Sequence, residues 1–317
     1  MNSLFAIGEV LIDFTPVEQG RSLTSVENFT KNCGGAPANV AAVVAKLGYS
    51  AALISQVGDD AFGEFLVESL GKAGVNTSFI EKTSLGSTSL AFVSLSENGH
   101  RDFVFYRHLA ADLLYAKEQL PLAHVRAGDI IHFCSVNLVD SPMREAHSTL
   151  IEHAIAQNCL ISFDPNVRLP LWHCEDACRN AIRSFLPEVH ILKIAEDELP
   201  FITQLENVEL AVHSLFTGNV KVVFLTKGAA GATLYTRKTH LHIPSPVVQA
   251  IDTTGAGDAF IGAILAKLME QQISVNALED FLEANALSLL TFANQYAALS
   301  TEKNGAIPSF PVGKELL

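Results

Sequence analysis

Long apolar runs are missing from this 317-residue chain, in which no uninterrupted stretch approaches the roughly 20 residues needed to cross a bilayer. The start, Met1-Asn2-Ser3-Leu4, has no basic segment, and Glu9 and Asp13 interrupt residues 7–13 where a signal peptide would be apolar. A cytoplasmic protein without a membrane partner is expected. Positive charge is scarce as well, with 21 Lys and Arg against 34 Asp and Glu and a formal net charge of -13. Nucleic acids and anionic membranes reward clustered positive charge, so neither is an expected partner. An anionic substrate would need local basic residues and a divalent ion to overcome that field. The cysteines Cys33, Cys134, Cys159, Cys174 and Cys178 are odd in number and irregular in spacing, which fits free thiols in a reducing compartment. His173, Cys174 and Cys178 form the densest ligand group, but no second cysteine pair lies nearby to complete a zinc site. Three motifs are absent: Gly-x-x-x-x-Gly-Lys-Ser/Thr, an early Gly-x-Gly-x-x-Gly, and Gly-x-Ser-x-Gly. Any nucleotide must be held by a device other than a P-loop, and the serine-hydrolase reading fails.

What is present is apolar material, 49% of the residues against 17% charged, which favours helices and strands covered on one or both faces. Residues 4–14 read as a buried opening strand. Residues 36–47 read as a tightly packed Ala/Val-rich helix that begins after Gly34-Gly35 and closes at Gly48. A strand at 51–54 and a helix at 62–70, ended by Gly71, continue a βαβα order. Asn98-Gly99 between two β-rich runs marks a long hairpin over 87–107 and a separate small sheet. With residues 14–31 it is expected to form a lid over the main domain. Short apolar runs at 130–134, 160–164, 190–194 and 220–225 alternate with helical segments at 143–157 and 176–185, as parallel strands covered by helices require. Residues 233–235 and 240–243 lie too close together for a crossover helix and predict an antiparallel edge. Two helices follow, at 259–269 and 276–299, the second with an expected break near Ser288 or Asn294.

The stretch Asp252-Thr253-Thr254-Gly255-Ala256-Gly257-Asp258-Ala259-Phe260 carries the chemistry. If Gly255 to Gly257 turn into a helix at Ala259, several N–H groups point outward at the positive end of the helix dipole and form an anion-binding nest. Asp258 then stands where a carboxylate can take the proton of an attacking hydroxyl. A structural alternative is a tight connection in which Asp258 only charges the first helical turn.

That string resembles the C-terminal signature of the ribokinase-like, or PfkB, carbohydrate kinases, and Gly34-Gly35-Ala36-Pro37-Ala38-Asn39-Val40-Ala41 resembles the N-terminal one. The resemblance runs from Gly8-Glu9 to Gly305-Ala306-Ile307-Pro308. It implies a ribokinase-like three-layer αβα Rossmann-like domain over residues 1–317, with a mainly parallel sheet and a lid from about 14–33 and 86–108. It implies ATP as donor, Mg²⁺ as essential ion and K⁺ as an activator in many members. Asp258 matches the general base, and Gly255, Ala256 and Gly257 match the anion hole. Asp13, Gly34, Gly35 and Asn39 match the residues that hold sugar hydroxyls.

Phe163-Asp164-Pro165-Asn166-Val167-Arg168, with Leu171-Trp172, looks most like fructokinases, and assigns Asn166 and Arg168 to sugar or phosphate. Lys193 matches a phosphate contact, against the alternative of a solvent-facing lysine. Glu198 matches the acid that organises metal-bound water, and Ala195 departs from the usual Asn or Ser beside it. Thr226, Gly228 and Gly231 match the loop beside the nucleotide, Asn294 the adenine pocket and Asp252 a monovalent-cation site. Arg107, at the end of the hairpin, matches a basic lid residue that touches sugar or phosphate, against ordinary edge protection by charge. The resemblance predicts ATP-dependent phosphorylation of D-fructose to fructose 6-phosphate. Ribose, a nucleoside such as an aminoimidazole riboside, and 2-keto-3-deoxygluconate are the alternative acceptors, and a non-catalytic sugar sensor is the alternative class. A homodimer through the lid is expected.

Overall fold

The computed structural model describes residues 2–18, 20–95 and 101–313. Its strands are β1 (Leu4–Ile7), β2 (Leu11–Pro16), β3 (Phe29–Gly34), β4 (Ala51–Gly58), β5 (Ile80–Thr83), β6 (Leu90–Leu95), β7 (Arg101–Tyr106), β8 (Ile130–Cys134), β9 (Leu160–Asp164), β10 (Ile191–Ala195), β11 (Val222–Thr226), β12 (Ala232–Tyr235) and β13 (His240–Ile243). Its α-helices are α1 (Ala36–Lys46), α2 (Ala61–Lys72), α3 (Pro142–Ala156), α4 (Glu175–Phe185), α5 (Glu198–Thr203), α6 (Val208–Ser214), α7 (Ala256–Glu270) and α8 (Leu278–Ser300). No helix among the described residues is long and apolar enough to cross a membrane.

Nine strands form the large sheet in the order β13-β12-β11-β10-β9-β8-β1-β4-β5, parallel except for β12 and β13. Both faces are covered, as continuous apolar strands require. Alternation along β1 sends Leu4 and Ala6 into a core shared with α1, α7 and α8, and Phe5 and Ile7 into the opposite core with α3 and α4. In β11, Phe224 joins the first core while Val223 and Leu225 join the second. The parallel strands β1 and β8 to β11 therefore end on one rim, where the site lies.

The opening run is not one strand. After β1 the chain turns at Gly8, whose φ of +142° suits glycine, and Leu11–Pro16 leaves the large sheet to pair with β3 and β6. The small sheet has the order β3-β2-β6-β7. Its two-residue period divides two jobs. Asp13, Ala91 and Phe105 stand opposite one another in one row, while Phe14, Phe92 and Val104 form the next. The second row belongs to an aromatic face in which the Phe14 and Phe92 rings stack at 4.8 Å and Tyr106 meets Phe92 at 5.4 Å. The expected Asn98-Gly99 turn lies outside the described residues.

Two other expectations change. Helix α7 starts at Ala256 rather than Ala259, because Gly255 takes the left-handed conformation (φ 77°) and ends the turn there. Helix α8 is unbroken. Ser288 bonds the Asn285 carbonyl and Asn294 reaches the Ile243 carbonyl at 2.8 Å, so both polar side chains are satisfied without opening the helix. Strand β5 and the short helices α5 and α6 have too few residues to show a period.

Helices α1 and α7 carry the site's two halves and touch where neither has bulk to spare. A Cβ placed on Gly262 would lie 2.6 Å from Val43 Cγ1. Gly262→Ala is expected to destabilise the protein by about 1–3 kcal/mol in urea denaturation, and Val43→Ala added to it is expected to recover part of that loss.

Candidate active site

The loop ahead of α7 is built by its own side chains. Asp252 Oδ1 accepts from the Thr254 backbone N–H at 2.9 Å and from its hydroxyl at 2.6 Å, and Oδ2 accepts from Gly305 N at 2.8 Å. Both oxygens are engaged, and Asp252 clamps this loop to residue 305. Ala259 N–H closes a full helical turn onto Gly255 at 2.7 Å. The amides of Gly257 and Asp258 precede that bond and stand at the positive end of α7.

Asp258 sits in this first turn, 8% exposed. The Asn39 side-chain amide, from the first turn of α1, donates to its Oδ2 at 2.8 Å. Burial and the neighbouring Asp164 carboxylate push its pKa up to about 7, against the pull of Asn39, Lys193 and Arg168. It is poised to exchange a proton near neutrality. Lys193 is buried, its ammonium 3.0 Å from Asp164 Oδ2. Burial opposes its charge, yet Asp164 and Glu198 outweigh that and hold it above the ordinary lysine value. Its Nζ would be 3.0 Å from a Cβ on Gly257, which places a fixed cation against the helix entrance. The solvent-facing alternative for Lys193 is thereby removed.

Glu198 accepts from Val167 N at 2.6 Å and from Ala195 N at 3.0 Å. It ties the loop after β9 to the end of β10 through backbone N–H groups, with no need of a side chain at Ala195. Burial raises its pKa, while Lys193 lowers it. Asp164 is engaged by Lys193 and Glu198 by two amides, and among the described residues no three His, Cys, Asp or Glu gather around a common point. This donor set fits a Mg²⁺ ion held through its own water rather than one stripped of it.

Two cavities meet at the turn. The first, beneath the small sheet, is lined by Asp13, Gly35, Asn39, Asn166, Arg168 and Asp258, together with Glu9, Leu11, Phe105, Val136 and Thr254. Asn166 adopts a φ of +45°, a conformation that asparagine tolerates better than most residues. The second cavity, about 330 Å³ and mostly apolar, is lined by Thr226, Gly228, Gly231 and Asn294. It reaches Ala256, Gly257 and Phe260 on the other side of the turn. The Gly255 to Asp258 stretch is thus a partition between an acceptor-rich cleft and an apolar one.

Not every expected residue faces a cavity. Gly34 lies under the Asp13 carboxylate, which occupies the space a side chain there would need. Arg107 does not reach out from the lid, because its guanidinium pairs with Asp112 and its Nε donates to Ser89 at 3.2 Å. Trp172 lines a separate groove of about 490 Å³ with Arg144 and His173, remote from the amide turn in its lining. The sequence assigns no place in the site to Glu9, Val136, Asp112 or the apolar wall at Pro246, Val247 and Val248, and reads Phe105 only as part of a hydrophobic sheet face. For Phe105 the signal was available in the strand period, since it alternates with the exposed Val104 and Tyr106. For Glu9 it was available in charge, since an acid amid apolar β residues demands an explanation.

Comparison with known proteins agrees with this geometry. The pfkB family carbohydrate kinase pattern matches residues 1–312. Fructokinase-2 of Oryza sativa subsp. japonica is 41% identical over 320 residues, covering 100% of this chain and 94% of its own. The crystal structure of fructokinase with bound ATP from Xylella fastidiosa superposes with a TM-score of 0.88 at 32% identity, covering 99% of this chain and 96% of that one. Aminoimidazole riboside kinase from Salmonella enterica, complexed with aminoimidazole riboside and an ATP analogue, gives a TM-score of 0.87 at 28% identity, covering 99% and 98%. The architecture is the ribokinase-like α/β fold with a mostly parallel central sheet and a small lid sheet, and the chain belongs to the pfkB family of carbohydrate kinases.

Proposed function

We propose that the protein transfers the γ-phosphoryl group of ATP to the primary hydroxyl of D-fructose, giving fructose 6-phosphate and ADP. The observation that carries this reading is the Asp258 turn standing between the two cavities. The apolar cavity suits an adenine, whose phosphates then run toward the amides at the start of α7. The sugar lies in the acceptor-rich cleft. Asp258 takes the hydroxyl proton as the oxygen bonds to the γ-phosphorus, the bond from that phosphorus to the bridging oxygen breaks, and the electron pair leaves with ADP. The amides of Gly257 and Asp258 and the fixed charge of Lys193 stabilise the negative charge that shifts during transfer. Glu198 would hold Mg²⁺ through water, and the ion, when bound, neutralises phosphate charge.

The cleft's own charge separates the candidate acceptors. Three acids line it, Asp13 with Glu9 and Asp258, the last two pushed up to about 7 by burial, and Arg168 is the cation among the lining residues, while Arg107 pairs with Asp112 outside it. That balance favours a neutral polyol over a keto acid such as 2-keto-3-deoxygluconate. A second reading, an aminoimidazole riboside, is supported by the apolar wall of Leu11, Phe105 and Val136 and by the likeness to the Salmonella enterica enzyme.

In a coupled assay of ADP release, D-fructose is expected to give the highest kcat/KM among fructose, ribose, aminoimidazole riboside and 2-keto-3-deoxygluconate; preference for the keto acid would overturn the reading. Asp258→Asn is expected to lower kcat by at least about a hundredfold. For the wild type, kcat/KM should rise with pH and level off above about 7, as Asp258 ionises. The folded state holds this proton more tightly than the unfolded chain, so ionising Asp258 lowers stability between about pH 4 and pH 7. Asp258→Asn should therefore be more stable than wild type at pH 8, by about 4 kcal/mol, and the difference should vanish toward pH 4; denaturation curves at both pH values measure it.

A further inference from the structure

We propose that Glu9 reads the acceptor directly: one carboxyl oxygen holds the start of α1, and the other takes a hydrogen bond from a hydroxyl of the sugar in the cleft. The inference rests on the reading of that cleft as a sugar site.

Glu9 follows β1 at the place where the chain passes from the large sheet to the lid sheet. It is 2% exposed and lines the cleft. Its Oε1 accepts from Ala36 N at 3.0 Å, which satisfies one amide at the N-terminus of α1. Its Oε2 is buried and has no hydrogen-bond partner. A buried carboxyl oxygen left without a partner is costly and uncommon, and Glu9 is one of the residues that line the cleft.

The surrounding charges leave that oxygen for a ligand. Burial pushes the Glu9 carboxyl up to about 7, against the pull of Arg107 and of the Glu9 and Ala36 amides and with a further push from Asp112, so above neutrality its Oε2 is an acceptor. Arg107 donates to Ser89 and Asp112, while Asn137 donates to Asp112 at 2.8 Å. The Asn39 Oδ1 is a second buried acceptor without a partner, and Asn39 lines the same cleft. Two such acceptors beside the Asp13 carboxylate call for a ligand that brings several hydrogen-bond donors and no negative charge. A polyol does so, and a sugar acid or sugar phosphate does not.

Glu9→Gln tests the second oxygen while sparing the first. The amide carbonyl can still accept from Ala36 N, but the NH₂ replaces an acceptor with a donor. At pH 8, KM for the sugar is expected to rise about tenfold or more, with KM for ATP within about twofold of wild type and the melting temperature no lower than wild type. A series of monodeoxy sugars supplies the specific signature. Wild type should lose about tenfold in kcat/KM on one member, and the Glu9→Gln enzyme should treat that member and the parent sugar alike. A folded Glu9→Gln enzyme with the wild-type KM and the wild-type ranking of deoxy sugars would overturn the proposal. So would Glu9→Gln and Glu9→Asp enzymes that lose stability and raise both KM values together, which is the behaviour of a clamp on α1 alone. The two readings fail separately. If wild type turns over no sugar, and no sugar raises its melting temperature, the cleft itself has been misread; if fructose is phosphorylated and Glu9→Gln matches wild type, only the role of Glu9 falls.

Discussion

The hydrogen bond from the Asn39 amide to the Asp258 carboxylate joins two helix entrances 219 residues apart in sequence. Everything reactive lies around that bond. Helix α1 brings Asn39 and the glycine turn before it, helix α7 brings Asp258 and its amides, and the strand ends between them supply Asp164 and Lys193. The bond holds the carboxylate in place without neutralising it, which a salt bridge to lysine or arginine would do. Lys193 is held by its pairing with Asp164, so the cation is engaged by a different carboxylate from the one that Asn39 holds.

Such an arrangement lowers stability locally. A carboxylate buried with another carboxylate as neighbour is held in its charged form only against desolvation. The chain offsets this with two thick apolar cores, one on each face of the sheet, and with helices packed as closely as Gly262 on Val43. Active sites are commonly placed on rigid scaffolds for this reason, since geometry that is locally unfavourable persists only where its surroundings over-determine it.

Much of this was legible in the sequence, and the reasons are particular. The parallel strands announced themselves as short apolar runs, and β8 and β9 begin and end at the expected residues. The antiparallel edge followed from the brief gap between β12 and β13. The glycine-rich turn and its aspartate were visible because glycine, amide density and an acid before an apolar helix rarely coincide by chance. Three features were not legible. The crossing between the two sheets at Gly8 is not marked in the pattern of residues 4–14, because β1 and the first residues of β2 are alike buried and apolar on either side of it. The start of α7 depends on one positive φ at Gly255, which composition does not reveal. The withdrawal of Arg107 depends on Asp112, five residues away in a 3-10 turn with no period to detect. Ala195 is instructive in the opposite direction: its missing side chain suggested a weakened network, and the structure closes that network through the alanine's own N–H.

The end of the chain has a part in this that its composition does not suggest. Ala306 and Phe310 press on Gly255 so closely that a Cβ there would lie 2.9 Å from Ala306 Cβ and 3.0 Å from Phe310 Cζ. Lys46, at the far end of α1, ties down the carbonyls of Ile307 and Phe310 at 2.6 and 2.9 Å, and Tyr296 holds Pro311 at 2.9 Å. The tail is therefore a strut under the glycine turn that opens α7. A premature stop shortly before residue 305 would take Ala306 and Phe310 away from Gly255 and the Gly305 amide away from Asp252, and so unseat the turn from a distance.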